Sequence, residues 1–453
     1  MTVEKFSIRN YAAVIAVLIV LIMTVLDVSV VNVALPVLAG ELGISDSLTV
    51  WIVTIYQLAI TMLLLPLSSV GDLYSYRRNF LIGVVIFTAA SVTCAMSGSF
   101  EMIVISRAIQ GIGAACVMSV NIALTRLIYP RNILGRGLAL NAMVIAIATA
   151  AGPTLAGAIL AIASWHWLFL INIPFGIIAF IVGYRLLPQN PPKDHKVDYD
   201  WISAIENIIV FGLIFYSLGN FARKGNVTLN ICLLIIGITV GIFYVRRQLN
   251  RESPMLPIDL LKIKLYTLSI ATSVCSFIAQ NLAMISLPFL FLNNFGFTEI
   301  TTGLLMTPWP LATMIVSPLA ARFIEKHNPG ATAATGMAVY ATGVILLATL
   351  KSADITVIDI AWRMAICGIG YGLFQTPNNV VMVIATPVKR TGGAGGMQST
   401  ARLVGQTLGA TVVTLIFATS IPAKSVYICL YISLAMAAIA GIFSLSRVSR
   451  INR

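Results

Sequence analysis

The chain has 453 residues, of which 58% are hydrophobic and only 10% are charged. Water-soluble domains carry about 25% charged residues, so this composition excludes a set of soluble domains. It also excludes a disordered chain, which requires low hydrophobicity and high charge. The formal net charge of +13 would suggest a nucleic-acid partner in a soluble protein. In a chain this apolar, the composition indicates a multi-span membrane protein.

Long, continuous apolar segments follow one another along the chain, and a helix needs about 20 such residues to cross a bilayer. Membrane-spanning β-strands would give only short alternating segments. The sequence predicts fourteen helices, at roughly 11–36, 48–70, 79–98, 101–127, 137–162, 166–187, 201–220, 228–247, 266–292, 302–324, 331–350, 356–385, 395–420 and 425–446. The first segment lacks a small-residue cleavage site and contains Asp27, so we expect a membrane span there and not a signal peptide.

The Lys and Arg residues predict the orientation of these helices. If the N-terminus is cytoplasmic, most of the 29 Lys and Arg residues fall in cytoplasmic segments. We therefore expect a multi-pass protein of a bacterial-type inner (plasma) membrane with both termini in the cytoplasm. The basic excess would contact lipid headgroups and not nucleic acid.

An internal repeat divides the chain. Residues 34–36 and 66–67 recur as 286–288 and 318–319, at an offset of 252, and residues 111–113 and Asn121 recur as 368–370 and Asn378, at an offset of 257. These matches predict an N-terminal six-helix half over 1–187 and a C-terminal six-helix half over 266–453. Between them, 188–265 holds a linker, two inserted helices and an amphipathic segment at the inner surface. Parallel halves around a midplane site are the architecture of a secondary transporter.

Motifs of catalysis are missing from the sequence. It contains no Walker A motif and no cluster of catalytic His, Cys or acidic residues. The six cysteines fall within predicted spans, without the spacing of a metal or disulfide site. We expect neither an enzyme nor a metal or cofactor, and transport would draw its energy from an ion gradient or from the gradient of the solute.

Two of the 16 acidic residues, Asp27 and Glu206, lie well inside predicted spans. An Asp near the bilayer centre costs about 2.5–3.5 kcal/mol on insertion scales, so its presence needs a reason. Removal from water favours the neutral carboxyl group, which suits a residue that binds and releases protons. The alternative for Asp27 is a polar contact between helices, for example with Asn32. Glu206 is either a secondary acid or a side chain that reaches the inner interface.

Two arginines lie within predicted spans of opposite halves. Arg107 is expected to bond to a carboxylate or to backbone carbonyl groups, because an unpaired guanidinium in the membrane is costly. Arg402 shares one helix face with Gln398 and Gln406. It either lines a central cavity or pairs across the bundle.

Four stretches together resemble a known family: 26–36, 71–78, 107–113 and 152–174. The sequence is similar to the fourteen-span drug:proton antiporters, the multidrug efflux family of the major facilitator superfamily. The resemblance implies an all-α integral membrane fold of that type, with 14 transmembrane helices arranged as 6 + 2 + 6. It assigns proton coupling to Asp27 and Arg107. Gly152, Pro153 and Gly157 would form the helix bend that the family associates with export.

The short loop between the second and third helices contains Asp72, Arg77 and Arg78. Charge pairs in so short a loop would have to break when the halves move, so these residues are candidates for a gate latch. The alternative is a solvated turn. Ser75 and Tyr76 stand where the family usually has Gly and Arg.

Polar and aromatic residues of several spans are candidates to line a central cavity. They are Tyr56, Gln57, Asn121, Asn141, Gln280, Asn281, Trp309, Gln375, Asn378 and Arg402. Pro308 and Pro310 are expected to deform the helix that carries Trp309. An apolar, aromatic pocket with one carboxylate would suit a bulky lipophilic cation.

These features lead to one main hypothesis and two alternatives. The main hypothesis is a monomeric, proton-coupled antiporter that exports lipophilic, cationic drugs by alternating access, with protons and membrane lipids as its other partners. The first alternative is a dedicated exporter of one metabolite or peptide with the same fold. The second is a lipid scramblase or a membrane-embedded enzyme.

Overall fold

A computed structural model describes residues 8–130, 133–190, 199–222, 226–251, 254–350, 355–386 and 391–448. Their α-helices are α1 (Ile8–Leu42), α2 (Asp46–Leu73), α3 (Tyr76–Ala95), α4 (Phe100–Ile128), α5 (Leu134–Ile162), α6 (Trp167–Leu170), α7 (Asn172–Leu186), α8 (Trp201–Ala222), α9 (Val227–Leu249), α10 (Lys264–Phe289), α11 (Glu299–Met306), α12 (Pro308–Phe323), α13 (Pro329–Ala348), α14 (Val357–Ile384), α15 (Thr391–Thr419) and α16 (Pro422–Leu445). A 3₁₀ turn covers Ile258–Lys262, and a π-helical turn covers Leu290–Asn294.

Within these described ranges, fourteen helical spans are long and apolar enough to cross a membrane, which confirms the predicted number. Helices α6 and α7 share one span, and α11 and α12 share another. The break between α11 and α12 falls at Thr307, directly before Pro308, as the Pro308-Trp309-Pro310 sequence predicts. Proline lacks the N–H group that would continue the helical hydrogen bonds. The protein is therefore an all-helical, multi-pass membrane protein.

The two halves are packed together most continuously at one end of the bundle. We call the end where α1 begins the terminal face, and the end where α1 finishes the distal face. Toward the distal face, buried residues of both halves form one apolar cluster that includes Leu35, Leu287 and Val413. At the terminal face, an apolar cluster around Phe80 belongs to the first six spans. A separate cluster around Tyr266 belongs to the last six spans and the segment that precedes them.

Direct contacts between the halves join α2 with α15, α5 with α11 and α12, and α1 with α10. The hydroxyl groups of Thr61 on α2 and Thr407 on α15 are 3.2 Å apart. Those of Thr154 on α5 and Thr307, between α11 and α12, are 2.6 Å apart. Helix α5 also approaches α11 so closely at Gly157 that a Cβ there would lie 2.7 Å from the carbonyl oxygen of Glu299. This close approach of α5 to α11 brings the two halves together at the distal face.

The inserted helices α8 and α9 lie against the side of the bundle. Helix α8 packs on α2 and α15, and Asn207 donates a hydrogen bond to the carbonyl oxygen of Met62 at 2.7 Å. Helix α9 has the most exposed apolar surface of the described spans. Cys232 on α9 is exposed, because α9 contacts few other helices.

The segment after α9 folds back against the protein. Its apolar residues Ile258 and Leu260 are buried, whereas Lys262 and Lys264 are exposed, as in an amphipathic stretch. Its position at the inner membrane surface stays a prediction. The side chain of Gln248 explains this fold, since its Oε1 accepts hydrogen bonds from the backbone N–H groups of Met255 and Leu256 at 2.7 and 3.4 Å. Most of the predicted linker, residues 191–198, lies outside the described residues.

Candidate functional site

The centre of the N-terminal half is a buried ion pair between α1 and α4. Arg107 Nη1 lies 2.5 Å from Asp27 Oδ2, and the two side chains are 0% and 1% exposed. The ring of Tyr56 on α2 lies beneath the guanidinium, whose Cζ is 4.2 Å from the ring centroid. Asp27 and Arg107 were both predicted from sequence as site residues, and the structure brings them into direct contact.

Gln110 completes the surroundings of this ion pair. It follows Arg107 by three residues on α4, so both side chains lie on the same helix face. Its Nε2 donates to Asp27 Oδ1 at 3.0 Å and to Ser91 Oγ at 2.9 Å, while its Oε1 accepts from Arg107 Nη1 at 2.6 Å. Arg107 Nε donates to the carbonyl oxygen of Ile52 at 3.1 Å. Both oxygens of Asp27 therefore accept hydrogen bonds, as in an ionised carboxylate.

Several polar atoms near the ion pair or on neighbouring helix faces have no hydrogen-bond partner among the described residues. They are Arg107 Nη2, Asn32 Oδ1, the hydroxyl group of Tyr56, and both amide atoms of Gln57. Buried groups of this kind are normally paired with protein, water or ligand. Gln57 lies one helical turn before Thr61, which contacts α15 of the other half. It is therefore placed for hydrogen bonding to a ligand at the interface of the halves.

The Gly152-Pro153 sequence of α5 packs against α1 at Ser29, two residues after Asp27. Pro153 has no N–H group, so the carbonyl oxygen of Thr149 loses its helical donor. Ser29 of α1, two residues after Asp27, donates its hydroxyl to that oxygen at 3.3 Å. Gly152 permits this approach, because a Cβ there would lie 2.4 Å from Ser29 Oγ. Farther along α5, Gly157 makes the distal contact with α11, so α5 connects the helix of Asp27 with the other half.

The loop between α2 and α3 does not form the predicted pairs. Asp72 Oδ1 accepts a hydrogen bond from the hydroxyl of Tyr76 at 2.7 Å, and the described residues contain no ion pair to Asp72. Arg77 donates to the backbone carbonyl of Tyr184 on α7 and stacks over its ring. Tyr76 stands where the family usually has Arg, and its hydroxyl group thus donates the hydrogen bond that the carboxylate of Asp72 accepts.

The other predicted cavity residues fall into two groups. Asn121 and Asn141 bond to each other at 2.9 Å, and Asn281 donates to the carbonyl oxygen of Gln406 at 2.5 Å, so these amides join neighbouring helices. Gln280 and Gln375 are partly buried, with no side-chain hydrogen bond to a described residue. They remain candidates for contact with a ligand.

Aromatic side chains pack together in the C-terminal half. Trp309 is fully buried, with ring centroids 5.4 Å from Tyr340, and Tyr340 lies 6.1 Å from Tyr371. The indole N–H of Trp309 and the hydroxyl of Tyr371 have no geometric hydrogen-bond partner among the described residues. In this conformation Trp309 is part of a packed cluster and is not accessible as a cavity wall, unlike the sequence-based expectation.

Arg402 on α15 lies within electrostatic range of Tyr371 and is partly buried. Its Nε is buried without a hydrogen-bond partner, and none of the ion pairs formed by described residues includes it. Among the described residues, the side chain neither pairs across the bundle nor meets a carboxylate. No described residue therefore compensates the positive charge of Arg402 in the C-terminal half.

Sequence reasoning missed Arg447, just after α16, because its position after the last span resembles an ordinary cytoplasmic basic residue. It is fully buried and donates to Asn378 Oδ1 at 2.6 Å, Ser269 Oγ at 2.8 Å and Ser444 Oγ at 2.6 Å. Burial lowers the pKa of Arg447 to about 10. Asn378, a predicted cavity residue, is engaged in this structural contact.

Glu206 belongs to an ionic cluster at the ends of α8 and α9. Its Oε1 lies 4.0 Å from Arg247, which also pairs with Asp200 at 3.3 Å. Burial opposes ionisation of Asp200, but hydrogen bonds from Ser203 and the charges of Arg251 and Arg247 outweigh it and hold the pKa below its usual value. Glu206 thus lies in a cluster that joins the inserted helices, away from Asp27.

Known proteins resemble this chain over most of its length. A transporter of Escherichia coli K12 described as uncharacterized, YebQ, is 47% identical over 90% of this chain and 89% of its own length. The riboflavin transporter RibZ of Clostridioides difficile is 28% identical over 88% of this chain and 86% of its own length. The multidrug resistance protein Stp of Mycobacterium tuberculosis is 27% identical over 86% of this chain and 72% of its own length.

A crystal structure of a POT family transporter with 5-aminolevulinic acid superposes with a TM-score of 0.75, at 15% identity, over 98% of this chain and 97% of that one. At this identity the likeness shows the fold alone. The model of the Major Facilitator Superfamily matches residues 17–410 and 269–450. Together with the fourteen spans, these matches show that the chain belongs to the Major Facilitator Superfamily and is a transporter, not an enzyme.

Proposed function

We propose that this transporter is a proton-coupled antiporter that exports small amphipathic compounds across a bacterial inner membrane, with both termini in the cytoplasm. The observation that carries the proposal is the buried Asp27–Arg107–Gln110 group. Asp27 is the one carboxylate within the first six spans whose two oxygens are both held by buried donors among the described residues. The relatives named as drug-resistance and riboflavin transporters support transport of small organic molecules.

A proton and Arg107 compete for the same carboxylate. Protonation of Asp27 removes the charge that Arg107 neutralises, and it converts one accepting oxygen into a donor. Loss of one partner of a buried ion pair costs roughly 3–5 kcal/mol, which is enough to change the relative stability of two conformations. Proton binding at Asp27 can therefore drive the transition between the two states of the carrier.

Helix α5 provides the mechanical connection. The Ser29–Thr149 hydrogen bond ties it to α1 two residues beyond Asp27, and Gly157 meets α11 at the distal face. A shift of α1 on protonation would thus act on the contact that closes this face.

The conformation fits the loading step of an exporter. The halves share a large apolar cluster toward the distal face and a smaller one around Tyr56 and Leu403, while each half has its own cluster at the terminal face. With the termini in the cytoplasm, this arrangement is closed to the outside while Asp27 is ionised and paired. In the proposed cycle, substrate binds from the cytoplasm as Asp27 loses its proton, and the outward-facing state releases substrate and binds a proton.

The charges favour a neutral or anionic substrate over the cation that the sequence suggested. Asp27 accepts hydrogen bonds from Arg107 and Gln110, so its charge is already paired in this conformation. A cation would have to displace Arg107, while Arg402 offers a positive charge without a partner. The proposed substrates are therefore amphipathic compounds with a neutral or negative polar group.

The test is uphill transport in proteoliposomes with an imposed pH gradient, comparing wild type with Asp27→Asn. The probes are riboflavin, flavin mononucleotide, which adds a phosphate to the same ring system, and ethidium, a lipophilic cation. We expect the variant to lose gradient-driven accumulation of each probe that the wild type transports. Uphill transport retained by Asp27→Asn would contradict the coupling role.

A second arm separates coupling from folding. Counterflow, the exchange of labelled for unlabelled probe without a pH gradient, does not require net proton movement. We expect Asp27→Asn to retain counterflow. Loss of both activities in a variant that still purifies as a folded protein would assign Asp27 to substrate binding and not to coupling.

A further inference from the structure

A groove on the outer side of the N-terminal half has no role in the proposed transport cycle. It lies between α3 and α7 near the terminal face and has a volume of about 730 Å³. One end is polar and includes Arg77, Arg78 and Asn190. The walls beyond that end are apolar and include Ile82 and Val85, which are 48% and 49% exposed.

The apolar wall is one continuous face of α3. Arg78, Ile82 and Val85 follow at helical spacings of four and three, so their side chains lie in one row. At a rise of 1.5 Å per residue, this row extends about 10 Å from the first turn of α3 into the apolar part of the span. A ligand in the groove would therefore lie parallel to the helices, with one end at the membrane interface.

The polar end consists of groups held by hydrogen bonds and of one arginine that pairs with no described residue. Arg77 is held by the backbone carbonyl and ring of Tyr184. Asn190 accepts from the N–H of Tyr76 at 2.8 Å and donates to the carbonyl oxygen of Gly71 at 3.1 Å. Arg78 is exposed, and its guanidinium makes no ion pair or hydrogen bond to a described residue. It also lies in the first turn of α3, where the helix dipole favours an anion.

We propose that this groove binds an anionic phospholipid, with its phosphate group at Arg78 and an acyl chain along Ile82 and Val85. An arginine at the interface that pairs with no described residue, next to an exposed apolar groove, is complementary to that class of molecule. Basic pockets between membrane-spanning helices bind anionic lipid headgroups in this way. A free phosphate ion would contact the polar end alone and would leave the apolar part of the groove without a ligand.

The test measures lipid that stays bound to the purified full-length protein. Protein is equilibrated with equal amounts of phosphatidylglycerol and phosphatidylethanolamine, partly delipidated, and analysed by native mass spectrometry. We expect wild type to retain phosphatidylglycerol in preference to phosphatidylethanolamine. Equal retention of the two lipids would overturn the proposal.

Two variants locate the bound lipid, each with a matched control. Arg78→Gln should reduce bound phosphatidylglycerol about fivefold or more, whereas Arg322→Gln, which changes an exposed arginine near the end of α12, should not. Ile82→Trp should displace the lipid by filling the apolar part of the groove, whereas Ile442→Trp, at an exposed position of α16, should not. Equal losses in a variant and its control would contradict the assignment to this groove.

A third arm distinguishes a lipid from a soluble anion. Excess inorganic phosphate is added before delipidation. We expect it to leave the bound phosphatidylglycerol unchanged, because the acyl chain contributes to binding. Displacement by inorganic phosphate would assign the polar end to a small anion and overturn the lipid proposal.

Discussion

Arg107 and Arg402 are membrane-embedded arginines of opposite halves, and their surroundings differ in kind. Arg107 is fully buried, with a carboxylate at 2.5 Å, a glutamine, a backbone carbonyl and an aromatic ring around it. Arg402 has a buried Nε without a partner and no carboxylate among the described residues. The charge of Arg107 is neutralised by a carboxylate that can bind a proton, whereas no described carboxylate neutralises the charge of Arg402.

Under the proposed function, this difference would give the two halves separate tasks. In the N-terminal half, a proton at Asp27 changes the local charge, so this half can respond to a proton gradient. In the C-terminal half, the charge of Arg402 does not depend on physiological pH, because a guanidinium keeps its proton. We infer that coupling resides in the first half, while Arg402 acts on the substrate or on the charge of the path.

The largest effect is expected from Arg107→Gln. This change leaves Asp27 buried beside Gln110 without its cation, and removal of one partner of a buried ion pair costs roughly 3–5 kcal/mol. We expect a marked loss of thermal stability in detergent together with loss of uphill transport. The double variant Asp27→Asn/Arg107→Gln should regain much of the stability, but not the coupling. A single variant as stable as wild type would show that the ion pair is not the central contact.

Arg402→Gln should behave in the opposite way. No carboxylate among the described residues depends on Arg402, so its removal relieves the cost of a buried charge, and stability should stay the same or rise. Transport of flavin mononucleotide should fall about tenfold, with a smaller effect on riboflavin, and Arg402→Lys should retain part of it. A loss of stability like that of Arg107→Gln would reveal a partner and end the contrast between the halves.

An intermediate effect is expected where α5 of the first half meets α11 of the second. In Gly157→Ala the new methyl group would lie 2.7 Å from the carbonyl oxygen of Glu299, so the distal contact has to open. We expect a several-fold slower uphill transport rate. Gly135→Ala on the same helix is the control, since a Cβ there meets nothing within 4 Å. Equal rates in both variants would remove the distal contact from the proposed cycle.

The smallest effect is expected in the ionic cluster of the inserted helices, outside both halves. The pKa of Asp200 is lowered in the folded protein, so its contribution to stability is fully present above the usual value of 3.8 and is lost as pH falls through the lowered folded-state pKa. Asp200→Asn should lower stability at neutral pH by about 1 kcal/mol or less, because its partner Arg251 is partly exposed. Thermal unfolding at pH 7 and at a pH well below 3.8 measures this, and a difference that persists unchanged at the lower pH would contradict the assignment.

Apolar length alone made the fold predictable. Fourteen spans follow from segments long enough to cross a bilayer, and the break at Thr307 follows from Pro308. The ends of α1 and the burial of Ile258 did not follow, because they depend on tertiary contacts such as those of Gln248. Local sequence carries no signal for a glutamine that accepts bonds from a chain segment folded back upon it.

The candidate site was predictable in its charged residues and not in its partners. A carboxylate and an arginine inside spans are rare enough to be identified singly, and each then requires a counter-charge. Gln110 could have been found from its position three residues after Arg107. Ser29 as the donor to Thr149, and Arg447 as a buried cation, required knowledge of which helices touch. The cationic substrate stays a prediction from the sequence, and the pairing of Asp27 with Arg107 is what leads the proposal to neutral or anionic compounds.

The central claim is that Asp27 releases its proton when substrate binds. The most direct test measures proton release from purified protein on addition of a transported probe. The protein is kept in weakly buffered detergent solution with a pH indicator, and riboflavin or flavin mononucleotide is added. We predict proton release by wild type and none by Asp27→Asn at the same bound fraction of probe. Equal release by the two proteins would contradict the account.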